Sequence, residues 1–522
     1  MTHARISLDP AFRIGDVSRR LFGSFVEHMG RCVYEGIFEP GHPMADEEGL
    51  RQDVVALVQE LGATLVRYPG GNFVSGYRWE DGVGPRENRP RRLDLAWRTI
   101  ETNQFGLSEF MQWVRKTSVE PMMAINLGTR GVQEALDLVE YCNHPGGTAL
   151  SDLRAAHGDA EPYGIKLWCL GNELDGKWQV GHKTAAEYGR LAAEAGRAMK
   201  LMDPTIELVA CGSSKSSMET FGSWEQTVLR EAYEEVDYIS LHAYYEEYDG
   251  DVESFLASAL DMDRAIESVA ATADAIRAEL GSEKQMMLSF DEWNVWYKER
   301  HNTSAEGAGR TEWVEHPRVI EDEYNVTDAV VVGTLLNSLL RHGDRVGIAC
   351  QAQLVNVIAP IRAERGSLAW RQTIFYPFAE MASLARGSVL RLKTESASYN
   401  SSRFGLVPLV DACATWDEDR GELNVFVAHR GLDESVDLEI DLRSFGGMSS
   451  ALRLQSARTL TIPDGGDRLT CNTQDVPDRV GMRPMDEASL GDDRLIAELP
   501  PLSWTVLSLT MGDSWGGVAQ QR

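Results

Sequence analysis

The 522-residue chain is predicted to be an α/β protein: a (β/α)8 barrel of the TIM type followed by an all-β, jelly-roll-like sandwich. Three features predict it. Short apolar runs alternate with helical stretches eight times before about residue 355, the pattern of right-handed strand–helix–strand units on a parallel sheet. The runs are continuously apolar rather than alternating, as strands buried on both faces are. After about Ala385 helical periodicity stops and short strands between turns take over. An open doubly wound sheet is the rival, but no G-x-G-x-x-G follows the first strand.

The elements follow in order. Leu21 to Glu27 is the first strand, and Glu47 to Leu61 a helix stopped by Gly62. Thr64 to Tyr68 is the second strand, closed by Pro69-Gly70-Gly71, with a helix over Leu107 to Thr117. Pro121 to Leu127 and the helix Val132 to Tyr141 form the third unit. Ile165 to Leu170 and the long helix Ala185 to Met202 form the fourth. Glu207 to Cys211 precedes Trp224 to Tyr233, and Tyr238 to Tyr244 precedes a helix over Val252 to Leu280. Gln285 to Phe290 is the seventh strand, Tyr324 to Arg341 the last clear helix, and Arg345 to Val355 the eighth strand. Sandwich strands are expected at Arg403 to Val407, Leu423 to Ala428, Ser435 to Asp441, Ala451 to Thr459 and Trp504 to Leu509. Alternating Ile6 and Leu8 suggest that the first residues add a strand. The expected division is a barrel over 15–384, a sandwich from 1–14 plus 385–511, and a frayed tail over 512–522.

Composition narrows the partners. The net charge of −29 and the lack of a long basic stretch disfavour nucleic acid and anionic membrane, both of which need a positive face. A neutral small molecule is unaffected by such a field. Seven cysteines are few and odd in number, and no C-x-x-C pair suggests a metal or redox centre. Met1 to Val17 contains no apolar signal core, and the apolar stretch Ala329 to Leu340 is too short to span a bilayer. The expectation is a cytoplasmic protein with no metal and no cofactor.

Chemistry in a parallel barrel collects at the C-terminal strand ends. Here those ends carry Glu27-His28, Arg67-Tyr68 with Gly70-Gly71-Asn72, Asn126, Asn172-Glu173, His242 with Tyr244 and Tyr245, Asp291-Glu292-Trp293 with Trp296, and Gln351, Gln353 and Asn356. Carboxylates and amides bind hydroxyls, and aromatic rings cover apolar C–H faces, so the set suits a sugar. Glu173 and Glu292 end strands four and seven. Two such carboxyl groups are what glycosidic hydrolysis needs, one to protonate the leaving oxygen and one to attack or stabilise the anomeric carbon. Placement on those strands predicts a separation of about 5 Å.

Blander readings stand beside these. A single glutamate at a strand end is usually solvated or paired with arginine. Arg67 reads as a charge partner of a glutamate, and His242 as a structural residue rather than a metal ligand, since no other His or Cys has matching spacing. Strand alternation points Asp291 away from Glu292. Pro69-Gly70-Gly71 reads equally as a tight turn, and Phe25 and Tyr68 as packing residues.

The segments Arg67-Tyr68-Pro69-Gly70-Gly71-Asn72-Phe73, Tyr141-Cys142-Asn143-His144-Pro145-Gly146-Gly147, Gly171-Asn172-Glu173 and Trp370-Arg371-Gln372-Thr373-Ile374-Phe375-Tyr376 resemble glycoside hydrolase family 51, the α-L-arabinofuranosidases. The resemblance runs from about Leu21 past Phe378. It implies a retaining mechanism with Glu173 as acid/base and Glu292 as nucleophile. It also implies arabinose binding by Glu27, Asn72, Asn172, Tyr244 and Gln353, with Gln351 on the same strand face as an alternative to Gln353. Trp296 and the loop after it are expected to wall an exo-acting pocket, and a homohexamer is implied. Ionised Glu27 is expected to accept two hydroxyls. While Glu292 is charged, Glu173 is expected to hold its proton. The same barrel could serve a β-xylosidase or an endoglucanase, and a sugar-binding protein on an inactive barrel is the reading outside enzymes. Retention of both glutamates argues against the last.

Overall fold

A computed structural model of the protein describes residues 2–299, 311–491 and 493–512. Eight strands close into a parallel barrel: Gly23–Phe25, Leu65–Tyr68, Glu120–Ala124, Leu167–Leu170, Glu207–Ala210, Tyr238–Tyr245, Met287–Val295 and Val346–Gln351. The eighth pairs with the first, Cys350 opposite Gly23, which removes both sheet edges. Leu65, Met122, Leu167, Cys169, Val209, Ile348 and Cys350 belong to a small cluster fully buried within it. The barrel is thus a packed core whose upper rim alone is free for chemistry.

Local sequence accounts for the surrounding helices. Leu107–Thr117 and Ala185–Met202 occupy the expected spans. The second opens on a reciprocal cap: Glu187 Oε2 accepts the Thr184 backbone N–H at 2.9 Å while Thr184 Oγ1 accepts that of Glu187. Asn143, from the segment Tyr141 to Gly147, accepts the Ile165 N–H at 2.9 Å and donates to its carbonyl at 2.8 Å, fixing the entry into strand four. The span Val252 to Leu280 is two helices, Val252–Leu256 and Ala259–Leu280. They part where the Ser258 hydroxyl turns back to the Phe255 carbonyl at 2.6 Å. A further helix, Phe375–Leu384, follows the one expected to be last. Pro377 lies in its first turn, where its missing N–H costs nothing, so it was no barrier to a helix.

Strand seven departs most from expectation. It runs on to Val295, and its register shifts against both neighbours. Ser289 faces Ser240 and Glu292 faces His242, so strand seven fits one more residue into the interval than strand six. Such a bulge breaks the two-residue alternation. Asp291 consequently turns inward with Glu292 rather than away from it.

The second domain is a curled ten-stranded sheet, mostly antiparallel, with its own core of residues such as Ile6, Trp416, Val425, Leu438, Leu495 and Leu507. The N-terminal strand Thr2–Asp16 lies inside it, antiparallel to Ser388–Glu395 and parallel to Val436–Asp441. Ser388–Glu395, Val410–Asp417 and Arg494–Leu499 are strands the sequence reading omitted. The expected strand at Arg403 to Val407 is instead one arm of a separate hairpin, Ser398–Ser401 with Gly405–Pro408. Helix Val326–Arg341 joins the domains: Asp411 accepts from Arg341 at 2.9 Å and from Asn337 at 2.8 Å. The proposed tail lies outside the described residues beyond Gly512. No helix among the described residues is long and apolar enough to cross a membrane.

Candidate active site

Strand four ends at Leu170, and the chain must then turn a carboxyl group over the barrel mouth. Gly171 at φ 98° and Glu173 at φ 46° make that turn. The left-handed backbone at Glu173 costs of order 1–3 kcal/mol and persists only because its surroundings hold it. Glu173 Oε1 lies 2.9 Å from His242 Nδ1, and its Oε2 accepts the Trp178 indole N–H at 2.8 Å.

Glu292 is held from two sides. Its Oε1 accepts from Arg67 Nη1 at 2.9 Å and its Oε2 accepts the Tyr244 hydroxyl at 2.8 Å. Arg67 is fully buried and spends Nη2 on Asn172 Oδ1 at 2.6 Å, so one guanidinium orients the glutamate and an amide together. Asn172 in turn donates to Asn72 at 3.3 Å. Glu173, His242 and Glu292 each present an atom within 4.8 Å of the others. Two ligands of one tetrahedral zinc ion would stand about 3.3 Å apart. The 2.9 Å separation of His242 and Glu173 is that of a shared proton.

Glu27 faces them across a cavity of about 510 Å³. It accepts the Phe73 backbone N–H at 2.9 Å, the Trp97 indole N–H at 2.6 Å and the Gln353 amide at 3.0 Å. Gly71, at φ 65°, lies beneath this carboxyl group, where a Cβ would come within 2.2 Å of Oε2. That is the use of the paired glycines. Asn72, Tyr244, Trp296 and Gln353 also line the cavity, and Asn172 lies just below it. Gln351 instead donates to Asn294 at 3.3 Å and does not line the cavity. Asn126, Tyr245 and Asn356 bind Tyr77, Asp261 and Arg31 and do not line the cavity. His28 joins Glu101 and Tyr68 behind Glu27. The loop beyond Trp296, expected as a wall, lies partly outside the described residues.

Two walls escaped sequence reading. Trp97 rides on a hairpin, Arg92–Asp94 with Thr99–Glu101, inserted after strand two. Trp178 follows Glu173 by five residues and is 48 % exposed. Lys215 and Lys298 also line the cavity, over the rings of Trp178 and Trp296 respectively. The available signal was a tryptophan in each of two otherwise polar loops.

The charge states differ from expectation. Burial pushes Glu27 up to about 8, against the hydrogen bonds from Phe73 and Trp97, so it is largely protonated at neutral pH rather than ionised. Burial also raises Glu173, but the His242 N–H, Trp178 and Lys298 outweigh it and leave Glu173 below the usual range. Glu292 is raised, by burial first and by the Glu173 charge, against the pull of His242, Arg67 and Tyr244. His242 would be lowered by burial, yet Glu292, Asp291 and Glu173 hold it well above the imidazole range. Glu173 is thus held below Glu292, the reverse of the expected order. The reason is position: His242 Nδ1 is 2.9 Å from Glu173 and 3.6 Å from Glu292.

A stability test follows for Glu27. The folded protein binds this proton more tightly than the unfolded chain, whose value is 4.5. Its stabilisation is therefore complete below about 4.5 and is lost as pH rises through about 8. Melting temperatures of the wild type should fall across that window more steeply than those of Glu27→Gln. Parallel curves for the two proteins would contradict the assignment.

Paired buried carboxyl groups over a polar, tryptophan-walled cavity on a (β/α)8 barrel define a glycoside hydrolase. Family models described as alpha-L-arabinofuranosidase 1 domain and alpha-L-arabinofuranosidase C-terminal domain match residues 57–261 and 291–503. An intracellular exo-alpha-(1->5)-L-arabinofuranosidase of Streptomyces lividans is 58% identical over 97% of this chain and 75% of its own. An exo-alpha-(1->6)-L-arabinofuranosidase of Bifidobacterium longum is 52% identical over 97% of each chain. The solved structure of a family 51 alpha-L-arabinofuranosidase from Bifidobacterium longum superposes with a TM-score of 0.92 at 46% identity, covering 97% of this chain and 99% of that one. The chain belongs to the α-L-arabinofuranosidases of glycoside hydrolase family 51.

Proposed function

We propose that the enzyme removes terminal α-L-arabinofuranosyl units from oligosaccharides derived from arabinan or arabinoxylan, by double displacement. The carrying observation is the approach of Glu173 and Glu292, with carboxylate oxygens within 4.8 Å. Retaining glycosidases hold these groups about 5–5.5 Å apart, whereas inverting ones leave about 6.5–9.5 Å for a water molecule.

In this reading Glu292 is the nucleophile. Arg67 and Tyr244 orient its two oxygens, and attack on the anomeric carbon gives an arabinosyl ester. Glu173 protonates the leaving oxygen and afterwards takes the proton of the attacking water. Esterification removes the Glu292 charge, which lowers the cost of a second negative charge nearby and favours the ionised, basic form of Glu173. Glu27, Asn72, Asn172, Tyr244 and Gln353 hydrogen-bond the furanose hydroxyls, and Trp296 closes the apolar side. Glu27, largely protonated, donates one hydrogen bond as well as accepting.

The cavity is walled by Trp97, Trp178 and Trp296, which supports removal of single units, and both relatives above are named exo-acting. Product analysis on linear arabino-oligosaccharides should give, at the first time point, arabinose and the chain shortened by one unit. Early internal fragments would contradict the pocket and favour an open cleft.

A further inference from the structure

Asp291 has no place in the scheme above, yet it is buried to 1 % exposure beside the residues that do. The strand-seven bulge puts its Oδ1 3.2 Å from His242 Nε2, on the side of the ring opposite Glu173. Its Oδ2 stands 3.9 Å from Cys169 Sγ and 3.7 Å from Arg67 Nε. Arg67 has committed both terminal nitrogens, to Glu292 and Asn172, and its Nε makes no hydrogen bond. Of these three groups the imidazole is the nearest to Asp291.

Taking Glu173 as the acid/base, we infer that Asp291, His242 and Glu173 form a proton-holding triad. Asp291 fixes the Nε2–H of His242 and so makes Nδ1 the nitrogen that exchanges a proton with Glu173. In the empty enzyme the proton rests on Nδ1, hydrogen-bonded to the Glu173 carboxylate. When substrate fills the pocket it moves to Glu173, which gives it to the leaving oxygen. The glycosidic C–O bond breaks, the bond from Glu292 to the anomeric carbon forms, and His242 is neutral with Nε2–H still on Asp291. In the second step water attacks the anomeric carbon, its proton passes to Glu173 and on to Nδ1, and Glu292 leaves as the carboxylate. Asp291 is a positioning residue, acting only through His242 and Glu173.

The charged groups facing this imidazole are Glu173 and Asp175 from the loop after strand four, and Asp291 and Glu292 from strand seven. Arg67 of strand two acts from behind Asp291, and Lys298 from beyond Glu173. Removing Asp291 takes away its carboxylate from Nε2.

The test is Asp291→Asn, made in the wild type and in Glu173→Ala. In the wild type, hydrolysis of arabino-oligosaccharides should fall about 10²-fold. The basic limb of the kcat/KM profile should move down by about one pH unit or more. In Glu173→Ala, azide-rescued turnover of nitrophenyl arabinofuranoside should be the same with and without the second change, within about twofold. An equal loss in both backgrounds would overturn the triad, because Asp291 would then act through Arg67 and Glu292. Failure of azide to rescue Glu173→Ala at all would instead remove the acid/base reading, and the triad with it. Should Asp291→Asn not fold, ¹⁵N spectra of histidine-labelled wild type decide. His242 Nε2 should stay protonated from about pH 5 to about pH 9, and its deprotonation within that range would overturn the inference.

Discussion

Glu292→Ala is expected to lose turnover on every substrate, by about 10⁴-fold or more. Among the described residues the site offers no second nucleophile at that position. Glu27 lies across the cavity, engaged by Phe73, Trp97 and Gln353 and largely protonated. The Glu292 oxygens alone are presented by Arg67 and Tyr244 beside Glu173. Added azide should restore some activity by direct attack on the anomeric carbon, giving the inverted β-L-arabinofuranosyl azide. Steady-state rates on nitrophenyl and oligosaccharide substrates, with the azide product assigned by NMR, check both parts. Substantial turnover without azide would contradict the nucleophile assignment.

Glu173→Ala should behave differently, and the leaving group decides how. A nitrophenolate departs without protonation, so the first step survives, the ester accumulates, and a burst precedes slow turnover. A sugar alkoxide needs the proton, so oligosaccharides should be cut about 10² to 10⁴ times more slowly. Azide needs no general base and should restore nitrophenyl turnover, now as the α-L-arabinofuranosyl azide, with overall retention. Equal behaviour of the two variants on both substrates, or inversion in this one, would contradict the roles.

Much of this arrangement was legible in the residues. The barrel followed from continuous apolar runs alternating with helical stretches, among them Ala185–Met202, which occupies its expected span. The placement of Glu27, Asn72, Glu292 and Gln353 around one cavity followed from their positions at strand ends. What was not legible depends on geometry that alternation does not encode. The strand-seven bulge reversed the expected direction of Asp291, because one added residue shifts every later side chain by one face. Trp97 reaches Glu27 from a hairpin that carries no barrel signal. Charge states were equally hidden: the protonation of Glu27 and the lowering of Glu173 arise from burial and from His242, which only three-dimensional packing brings together.

The most direct test of the central claim is to trap the ester. Glu173→Ala, mixed with nitrophenyl α-L-arabinofuranoside and quenched in acid within the burst, should yield on proteolysis a peptide heavier by one anhydropentose. Fragmentation should place that mass on Glu292. An adduct on another carboxyl group, or a burst with no adduct, would contradict double displacement through Glu292.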